Sequence, residues 1–289
     1  MNLFSCWAPF ASVLVGAVAL RSAPLSTGKG VIECANGAEP IAVFTYKPPH
    51  YHDGPIFVVF HGAERDAEDS RDSMIPAADK FGAIVVAPLF DKERFPTWRY
   101  QFGGILDKQG KAQAPESWTF AVVPKIVAHV RSLERAPTLP YYLIGHSAGG
   151  QFLVRLAALL PGDATRIIAV NPGSELFPTR EQDFPFGFGK LPPGLSNDDD
   201  LRTYLAVPLV LYLGTNDTYP KPSFDDSPPA MKQGNSRLAR GRNCLLFAAS
   251  LARKRGWMLK WRKVEAPNIG HKAAAMFDAA EMADALFGH

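Results

Sequence analysis

Residues 141–160 read YYLIGHSAGGQFLVRLAALL, so a G-x-S-x-G pentapeptide from Gly145 to Gly149 stands between two apolar runs. The first run has the length of a buried strand, and the second has the length and composition of a buried helix. In a sharp strand-to-helix turn of this kind a serine hydroxyl is held above the end of a sheet, and the glycines let the helix pass close to the strand. The pattern predicts that Ser147 is a nucleophile. The alternative is a glycine-rich turn with a solvent-exposed serine.

The composition limits the classes of protein to which the chain can belong. Of its 289 residues, 47% are hydrophobic and 20% are charged, which is typical of a globular enzyme and not of a disordered or fibrous chain. The formal net charge is only +3, and we interpret the densest basic stretch, between residues 237 and 255, as the exposed face of a helix. We therefore expect no nucleic-acid partner.

The N-terminal residues have features of an export signal. Residues 10–20 form an apolar segment too short to span a bilayer, and residues 17–19, Ala-Val-Ala, supply an A-x-A cleavage motif, although no lysine or arginine precedes the segment. We expect residues 1–19 to be a signal peptide, residues 20–289 to form a single domain, and the protein to be secreted or periplasmic. No later segment is long and apolar enough for a membrane span, so we expect no stable membrane insertion.

Cleavage after Ala19 would leave two cysteines, Cys34 and Cys244. An even number of cysteines in an exported protein suggests a disulfide. Here it would join an early strand to a late helix. The alternative is two unrelated buried thiols.

Short apolar runs alternate with helical patterns along the rest of the chain. Strands are predicted at residues 31–34, 41–46, 56–60, 83–88, 141–144, 166–170, 209–213 and 258–264, and helices near 70–81, 116–134, 152–160, 237–254 and 271–286. The first two strands are expected to form an antiparallel hairpin, and the others a mostly parallel sheet with helices on both faces. Residues 90–115 are interpreted as a long loop, and residues 171–205 as an irregular insertion, either a loop or a lid.

Residue types suited to acyl transfer follow three of the predicted strands. Ser147 follows one strand, Asp217 follows the strand at 209–213, and His271 follows the last. The carboxyl ends of parallel strands meet at one edge of a sheet, where active sites lie. An imidazole activates a serine hydroxyl by accepting its proton, and a carboxylate on the other ring nitrogen fixes the tautomer. We therefore predict Ser147 as nucleophile, His271 as base and Asp217 as acid, in the chain order expected of a nucleophile elbow.

Other residues compete for these roles. The remaining histidines are His50, His52, His61, His129, His146 and His289, and the alternative acids are Glu175, Asp225 and Asp226. His61 follows a buried strand, and we expect it to shape the loop that binds the oxyanion. The predicted backbone donors to that oxyanion are Ala63 and Ala148. The alternative role of Asp217 is a helix or turn cap.

Aromatic residues are concentrated in two of the loops that follow parallel strands. We predict that Trp98, Tyr100 and Phe102 in one loop, and Phe186 in the other, line an acyl or aryl pocket. The alternative is that these side chains pack the loops onto the core.

Taken together, these motifs resemble the α/β-hydrolase family over residues 41–289. Within that family the segments His-Gly-Ala-Glu-Arg (61–65) and Gly-His-Ser-Ala-Gly-Gly (145–150) are most similar to secreted esterases related to polyhydroxybutyrate depolymerases and feruloyl esterases. The resemblance implies an eight-stranded sheet, a serine hydrolase, no metal and no organic cofactor. Ser147, Asp217 and His271 fall at the family's motif positions for the catalytic triad.

The function predicted from the sequence is cleavage of carboxylic esters through an acyl-enzyme intermediate. The expected partner is a small-molecule or oligomeric ester substrate. Three alternatives remain open: a serine peptidase on the same fold, transfer of the acyl group to an alcohol, and a catalytically silent binding module.

Overall fold

The computed structural model describes residues 23–37, 39–218 and 224–288, so the predicted signal peptide lies outside the described residues. The strands are β1 (Gly28–Cys34), β2 (Ile41–Lys47), β3 (Ile56–Phe60), β4 (Ile84–Pro88), β5 (Tyr141–His146), β6 (Arg166–Val170), β7 (Leu209–Gly214) and β8 (Arg262–Ala266). They form one eight-stranded sheet in the order β1-β2-β4-β3-β5-β6-β7-β8. The β1–β2 and β2–β4 pairs are antiparallel, and the other pairs are parallel. The predicted mostly parallel sheet with an antiparallel opening hairpin is confirmed.

Helices cover both faces of this sheet. They are α1 (Ala67–Phe81), α2 (Thr97–Tyr100), α3 (Val122–Leu133), α4 (Ala148–Leu159), α5 (Asp198–Leu205), α6 (Pro228–Met231), α7 (Arg237–Arg255), α8 (Ala273–Asp278) and α9 (Met282–Phe287). One apolar cluster joins the sheet to α3, α4, α5 and α7, and a second joins the opposite face to α1, α8 and α9. Successive residues of a strand point to opposite faces of the sheet, and here helices cover both faces. Central strands such as β3 and β5 are therefore buried along their whole length.

Three predicted elements differ in the structure. The last strand begins at Arg262 and not at 258, since Met258 is 63% exposed and contributes nothing to the core. The predicted terminal helix is divided into α8 and α9 by Ala279, whose backbone is extended at ψ 148°. The insertion at 171–205 is not wholly irregular, because Asn197 caps α5 through a reciprocal capping box with Asp200.

Of the two alternatives for Cys34 and Cys244, the structure contradicts the disulfide and agrees with two unrelated buried thiols. Both residues are buried free thiols. Cys34 ends β1 at one edge of the sheet, whereas Cys244 lies on α7, which packs against β7 and β8 at the opposite edge. The width of the sheet separates the two sulfurs, which the spacing of cysteines along a chain does not reveal.

None of the helices within the described ranges combines the length and the apolar character needed to cross a membrane.

Candidate active site

The turn between β5 and α4 has the geometry of a nucleophile elbow. Ser147 has φ 57° and ψ −111°, a strained backbone for a residue with a side chain, and its N–H donates to the Val170 carbonyl over 2.9 Å. A Cβ atom added to Gly145 would lie 2.5 Å from the Gly149 carbonyl carbon, and one added to Gly149 would lie 2.2 Å from the Phe60 oxygen. The glycines are required because α4 passes this close to the strands, as the sequence predicts.

The structure brings Ser147, His271 and Asp217 together at the carboxyl end of the sheet. His271 Nε2 lies 2.9 Å from Ser147 Oγ, and His271 Nδ1 lies 2.7 Å from Asp217 Oδ2. If the Nδ1 proton is donated to the carboxylate, the Nε2 lone pair faces the serine hydroxyl, as a general base requires. Asp217 is 2% exposed, so its carboxylate is shielded from water.

Backbone hydrogen bonds join the loops that carry Asp217 and His271. The Asn216 N–H donates to the Ile269 carbonyl over 2.9 Å. The buried side chain of Asn171, at the end of β6, accepts from the Gly214 N–H at 2.7 Å and donates to the Gly270 carbonyl at 3.3 Å. Asn171 therefore positions both loops. Asn171 is not among the site residues predicted from the sequence, where its local signal is a polar side chain directly after a strand.

A buried arginine contacts the second carboxylate oxygen of Asp217. Arg237 Nη1 lies 3.4 Å from Asp217 Oδ1, and both side chains are 1% exposed. Arg240 is also buried, and its Nη1 donates to the Gly173 carbonyl over 2.6 Å. The prediction that the basic stretch at 237–255 is an exposed helix face is therefore wrong for its first residues. Arginine suits such sites because its several donors can satisfy fixed acceptors from different segments.

His146 packs against the predicted base. The ring centroids of His146 and His271 are 4.5 Å apart, at an interplanar angle of 40°. Nε2 of His146 is buried and has no hydrogen-bond partner within the described part of the chain. Burial, with smaller contributions from His271 and Arg237, lowers the pKa of His146 well below its usual value. The neutral ring supports the His271 imidazole without placing a second positive charge beside it.

The segment after β3 approaches Ser147 closely. A Cβ added to Gly62 would lie 4.0 Å from the Ser147 Cβ. The next residue is Ala63, and the residue after Ser147 is Ala148, which begins α4 with no side-chain cap on its first turn. Both predicted oxyanion donors thus belong to segments at the nucleophile. Their role in binding an oxyanion stays a prediction.

His61 shapes this segment and is not placed to act as a base. Its Nδ1 lies 3.0 Å from the Gly62 carbonyl oxygen, and its Nε2 accepts from the Phe90 N–H at 3.0 Å. Both ring nitrogens are therefore engaged by the backbone in the neutral form. Burial lowers the pKa of His61 to about 4, which keeps the ring neutral near pH 7.

The predicted pocket residues divide into two groups. Tyr100 is fully buried, stacks on Phe90 at 5.3 Å, and donates its hydroxyl proton to the His61 carbonyl at 2.7 Å. The prediction that Tyr100 binds substrate is wrong, because its ring is packed in the core and its hydroxyl group is hydrogen-bonded to a backbone carbonyl. The side chains of Trp98, Phe102 and Phe186 are partly exposed, and their contact with substrate stays a prediction.

Replacing Tyr100 with phenylalanine is expected to destabilise the folded position of the segment that carries Ala63. The ring and its stacking survive, but the buried His61 carbonyl loses its donor, which should lower the free energy of unfolding by about 1–2 kcal/mol. With Ala63 as the predicted oxyanion donor, we expect kcat to fall about tenfold, because a displaced donor would bind the oxyanion less well. Denaturant unfolding and turnover of 4-nitrophenyl butanoate measure the two effects.

The matched control for this variant is Tyr51→Phe, which removes a hydroxyl-to-carbonyl bond of 2.8 Å to Gly54 away from the site. It should cost stability without lowering kcat. Equal kcat values for the Tyr100→Phe variant and the wild type would show that the Ala63 segment does not depend on this bond.

The chemistry that this arrangement can perform is proton transfer from a serine hydroxyl to an imidazole, followed by attack on a carbonyl carbon. Within the described ranges, no group of three or more His, Cys, Asp or Glu side chains is placed to hold a metal ion.

Among the solved structures that are similar to this chain, two hydrolases match it over most of its length at more than 30% identity. Poly(aspartic acid) hydrolase-1 from Sphingomonas sp. KT-1 is 32% identical with a TM-score of 0.84, and the match covers 89% of this chain and 98% of that one. LpqC, a poly(3-hydroxybutyrate) depolymerase from Bordetella parapertussis, is 34% identical with a TM-score of 0.82, covering 89% of this chain and 90% of that one. The siderophore hydrolase EstA from Aspergillus nidulans shares the fold at 14% identity and a TM-score of 0.53. No family model matches the chain, and no curated protein matches it.

The sheet order, the elbow at Ser147 and the strand-end residues beside it define a hydrolase of the α/β-hydrolase fold. The chain belongs to the family that contains poly(aspartic acid) hydrolase-1 and the poly(3-hydroxybutyrate) depolymerase LpqC. The predicted family and fold are confirmed.

Proposed function

We propose that the protein hydrolyses carboxylic esters through an acyl-enzyme intermediate, with Ser147 as nucleophile, His271 as general base and Asp217 as the acid that orients it. The observation that supports this most is the continuous series of short contacts from Asp217 through His271 to Ser147, at 2.7 and 2.9 Å. A silent binding module would have no need to keep a strained serine within hydrogen-bond distance of a carboxylate-oriented imidazole.

In the proposed reaction, Ser147 Oγ attacks the ester carbonyl carbon while its proton passes to His271 Nε2. Asp217 stabilises the imidazolium, and the Ala63 and Ala148 N–H groups donate to the oxyanion. Loss of one such donor typically costs about 3 kcal/mol of transition-state stabilisation. The tetrahedral intermediate expels the alcohol, which takes the proton from His271. Water, activated by the same imidazole, then releases the acid and restores the free serine.

We propose small-molecule or oligomeric esters as substrates, with Trp98, Phe102 and Phe186 on the pocket walls. One relative acts on poly(3-hydroxybutyrate), a polyester, which supports ester cleavage. The other is named for poly(aspartic acid), whose backbone is an amide, and this favours amide hydrolysis as a second candidate. The Ser-His-Asp arrangement does not discriminate between them, because the same nucleophile attacks both carbonyls.

Turnover of an ester and an amide with the same acyl group and the same aryl leaving-group framework separates these candidates. We expect the wild type to release the alcohol of 4-nitrophenyl butanoate in a burst followed by a slower steady state, because an acyl-enzyme accumulates. Butanoyl-4-nitroanilide should turn over far more slowly. Comparable kcat/KM values for the ester and the anilide would show that the protein is an amidase or peptidase. Ester turnover without a burst, even in the first milliseconds, would count against accumulation of the acyl-enzyme.

Export and domain organisation are also proposals. The support for a signal peptide at 1–19 is the apolar segment and the A-x-A motif at 17–19. The support for one domain over 20–289 is that every named strand belongs to a single sheet. Residues 171–205 would then be a loop or lid insertion within it.

A further inference from the structure

A cavity of about 260 Å³ opens beside the segment that approaches Ser147. It is lined by Ala63, Arg65, Lys92, Pro96, Thr97 and Gln101. Ala63 follows Gly62, whose added Cβ would lie 4.0 Å from the Ser147 Cβ. The cavity wall therefore begins one residue after the glycine that approaches Ser147. The proposed mechanism uses only one of its lining residues, Ala63.

Arg65 gives this cavity a positive charge that forms no ion pair within the described residues, and Asp91 acts on it only at longer range. Its guanidinium lies 4.2 Å from the centroid of the Tyr100 ring, and Nη2 donates to the Phe95 carbonyl at 3.0 Å. Nε and Nη1 are buried and have no hydrogen-bond partner among the described residues. Burial of the guanidinium lowers the pKa of Arg65 from its usual value. The nearby carboxylate of Asp91 is taken by Arg94 at 2.6 Å.

The backbone at Arg65 also points to a functional constraint. Its φ is 66°, in the left-handed region that residues with a side chain rarely adopt. Strained backbone of this kind persists where the surrounding structure requires a particular side-chain position, and it occurs frequently at ligand sites.

Lys92 supplies the second cation. Its side chain is 64% exposed, and its ion-pair partner is Glu64, which is 87% exposed and 3.3 Å away. Such an exposed pair is weak and its members exchange partners easily. None of the six lining residues is acidic, so the charged side chains of the cavity wall are both positive. Glu64, the acid that pairs with Lys92, is exposed to water.

We propose that this cavity binds an anionic group of the substrate, most simply a carboxylate, and that Arg65 and Lys92 select esters which carry one near the scissile bond. The inference rests on the proposed function, because it places the anion relative to Ser147. A carboxylate forms stronger hydrogen bonds to a partly buried guanidinium than water does. In addition, the positive potential of a cleft raises the rate at which anionic substrates bind.

Two pairs of esters, matched except for one charge, test this specificity. The first pair is mono-4-nitrophenyl adipate and its neutral terminal amide, which place the charge on the acyl side. The second is 3-carboxyphenyl butanoate and its neutral 3-carbamoyl analogue, which place it on the alcohol side. The quantity measured is the ratio of kcat/KM for the anionic ester to that for the neutral one, in wild type, Arg65→Gln, Arg65→Lys and Lys92→Gln. Arg253→Gln removes the same charge from an exposed position near the end of α7 and is the matched control.

In at least one pair we expect the wild-type ratio to exceed one. It should fall about tenfold in Arg65→Gln, about threefold in Lys92→Gln, and less in Arg65→Lys, with no change in Arg253→Gln. Raising NaCl from about 0.05 to 0.5 M should reduce the wild-type ratio. If Arg65 only supports Tyr100, both members of each pair lose activity together and the ratio stays constant, which overturns the proposal. If Arg65→Gln does not fold, the exposed Lys92→Gln variant tests the proposal instead. An unchanged kcat/KM ratio in both ester pairs for Lys92→Gln would then contradict the anion site.

The same data separate this inference from the proposed function. A wild type that cleaves neither member of either pair removes the esterase assignment itself. A wild type that cleaves all four esters with ratios unaffected by any variant leaves the esterase intact and removes only the anion site.

Discussion

Replacing Ser147 with alanine is expected to abolish covalent labelling by a fluorophosphonate probe and to lower ester turnover at least about a thousandfold. The hydroxyl lies 2.9 Å from His271 Nε2, and alanine removes the nucleophile while keeping the Cβ on which the surrounding packing depends. The variant should therefore unfold at the same denaturant concentration as the wild type. Gel fluorescence of the probe and steady-state turnover of 4-nitrophenyl butanoate measure both effects.

The matched control is Ser174→Ala, which removes another buried serine hydroxyl from the loop that follows β6. This variant should still be labelled, whereas His271→Ala should not, because the probe reports an activated serine and not merely an accessible one. Labelling of Ser147→Ala at the wild-type level would show that another residue is the nucleophile. A folded wild type that the probe does not label would contradict the assignment of an activated serine.

Replacing Asp217 with asparagine is expected to lower kcat by about 10⁴-fold while leaving the fold intact. Asp217 faces two donors, His271 at 2.7 Å and Arg237 at 3.4 Å. An asparagine has one oxygen to offer, and its NH₂ group is repelled by the Arg237 guanidinium. The amide oxygen should therefore turn toward Arg237 and the NH₂ toward His271 Nδ1. The imidazole then carries its proton on Nε2 and has no lone pair for the Ser147 hydroxyl.

Asp225→Asn is the control for this variant, because Asp225 is an exposed acid in the same loop and was an alternative candidate from the sequence. Its kcat should match that of the wild type. A pH profile adds a second readout, since the Asp217→Asn enzyme should recover part of its activity at high pH, where hydroxide can replace the missing base. Equal losses in the two asparagine variants would show that Asp217 has no special role.

The nucleophile turn and the central strands could be predicted because they depend on local sequence. Residues 141–144 are apolar without interruption because β5 lies in the middle of the sheet and is covered on both faces. Gly145 and Gly149 are required by the close passage of α4, which follows directly in the chain. The same reasoning predicts the positions of Asp217 and His271, because the carboxyl ends of parallel strands must meet at one edge.

The surroundings of the site could not be predicted in this way. Arg237 and Arg240 belong to a basic stretch that is typical of an exposed helix, and they are buried because Asp217 and the Gly173 carbonyl are presented to them by other segments. Tyr100 is an aromatic residue in a loop, as pocket residues often are, yet its hydroxyl donates a hydrogen bond to the His61 carbonyl. In each case the partner is distant along the chain, so no local pattern records it.

Local sequence, then, determined the fold class, the strained serine turn and the residues at the strand ends, because strand burial and the strand-to-helix turn are properties of consecutive residues. Only the tertiary structure decided that Cys34 and Cys244 lie at opposite edges of the sheet, that Asn171 holds the acid and base loops together, and that His146 packs on His271. These relations arise from contacts between segments far apart in the chain, and their energies depend on distances and burial that exist only after the sheet has formed.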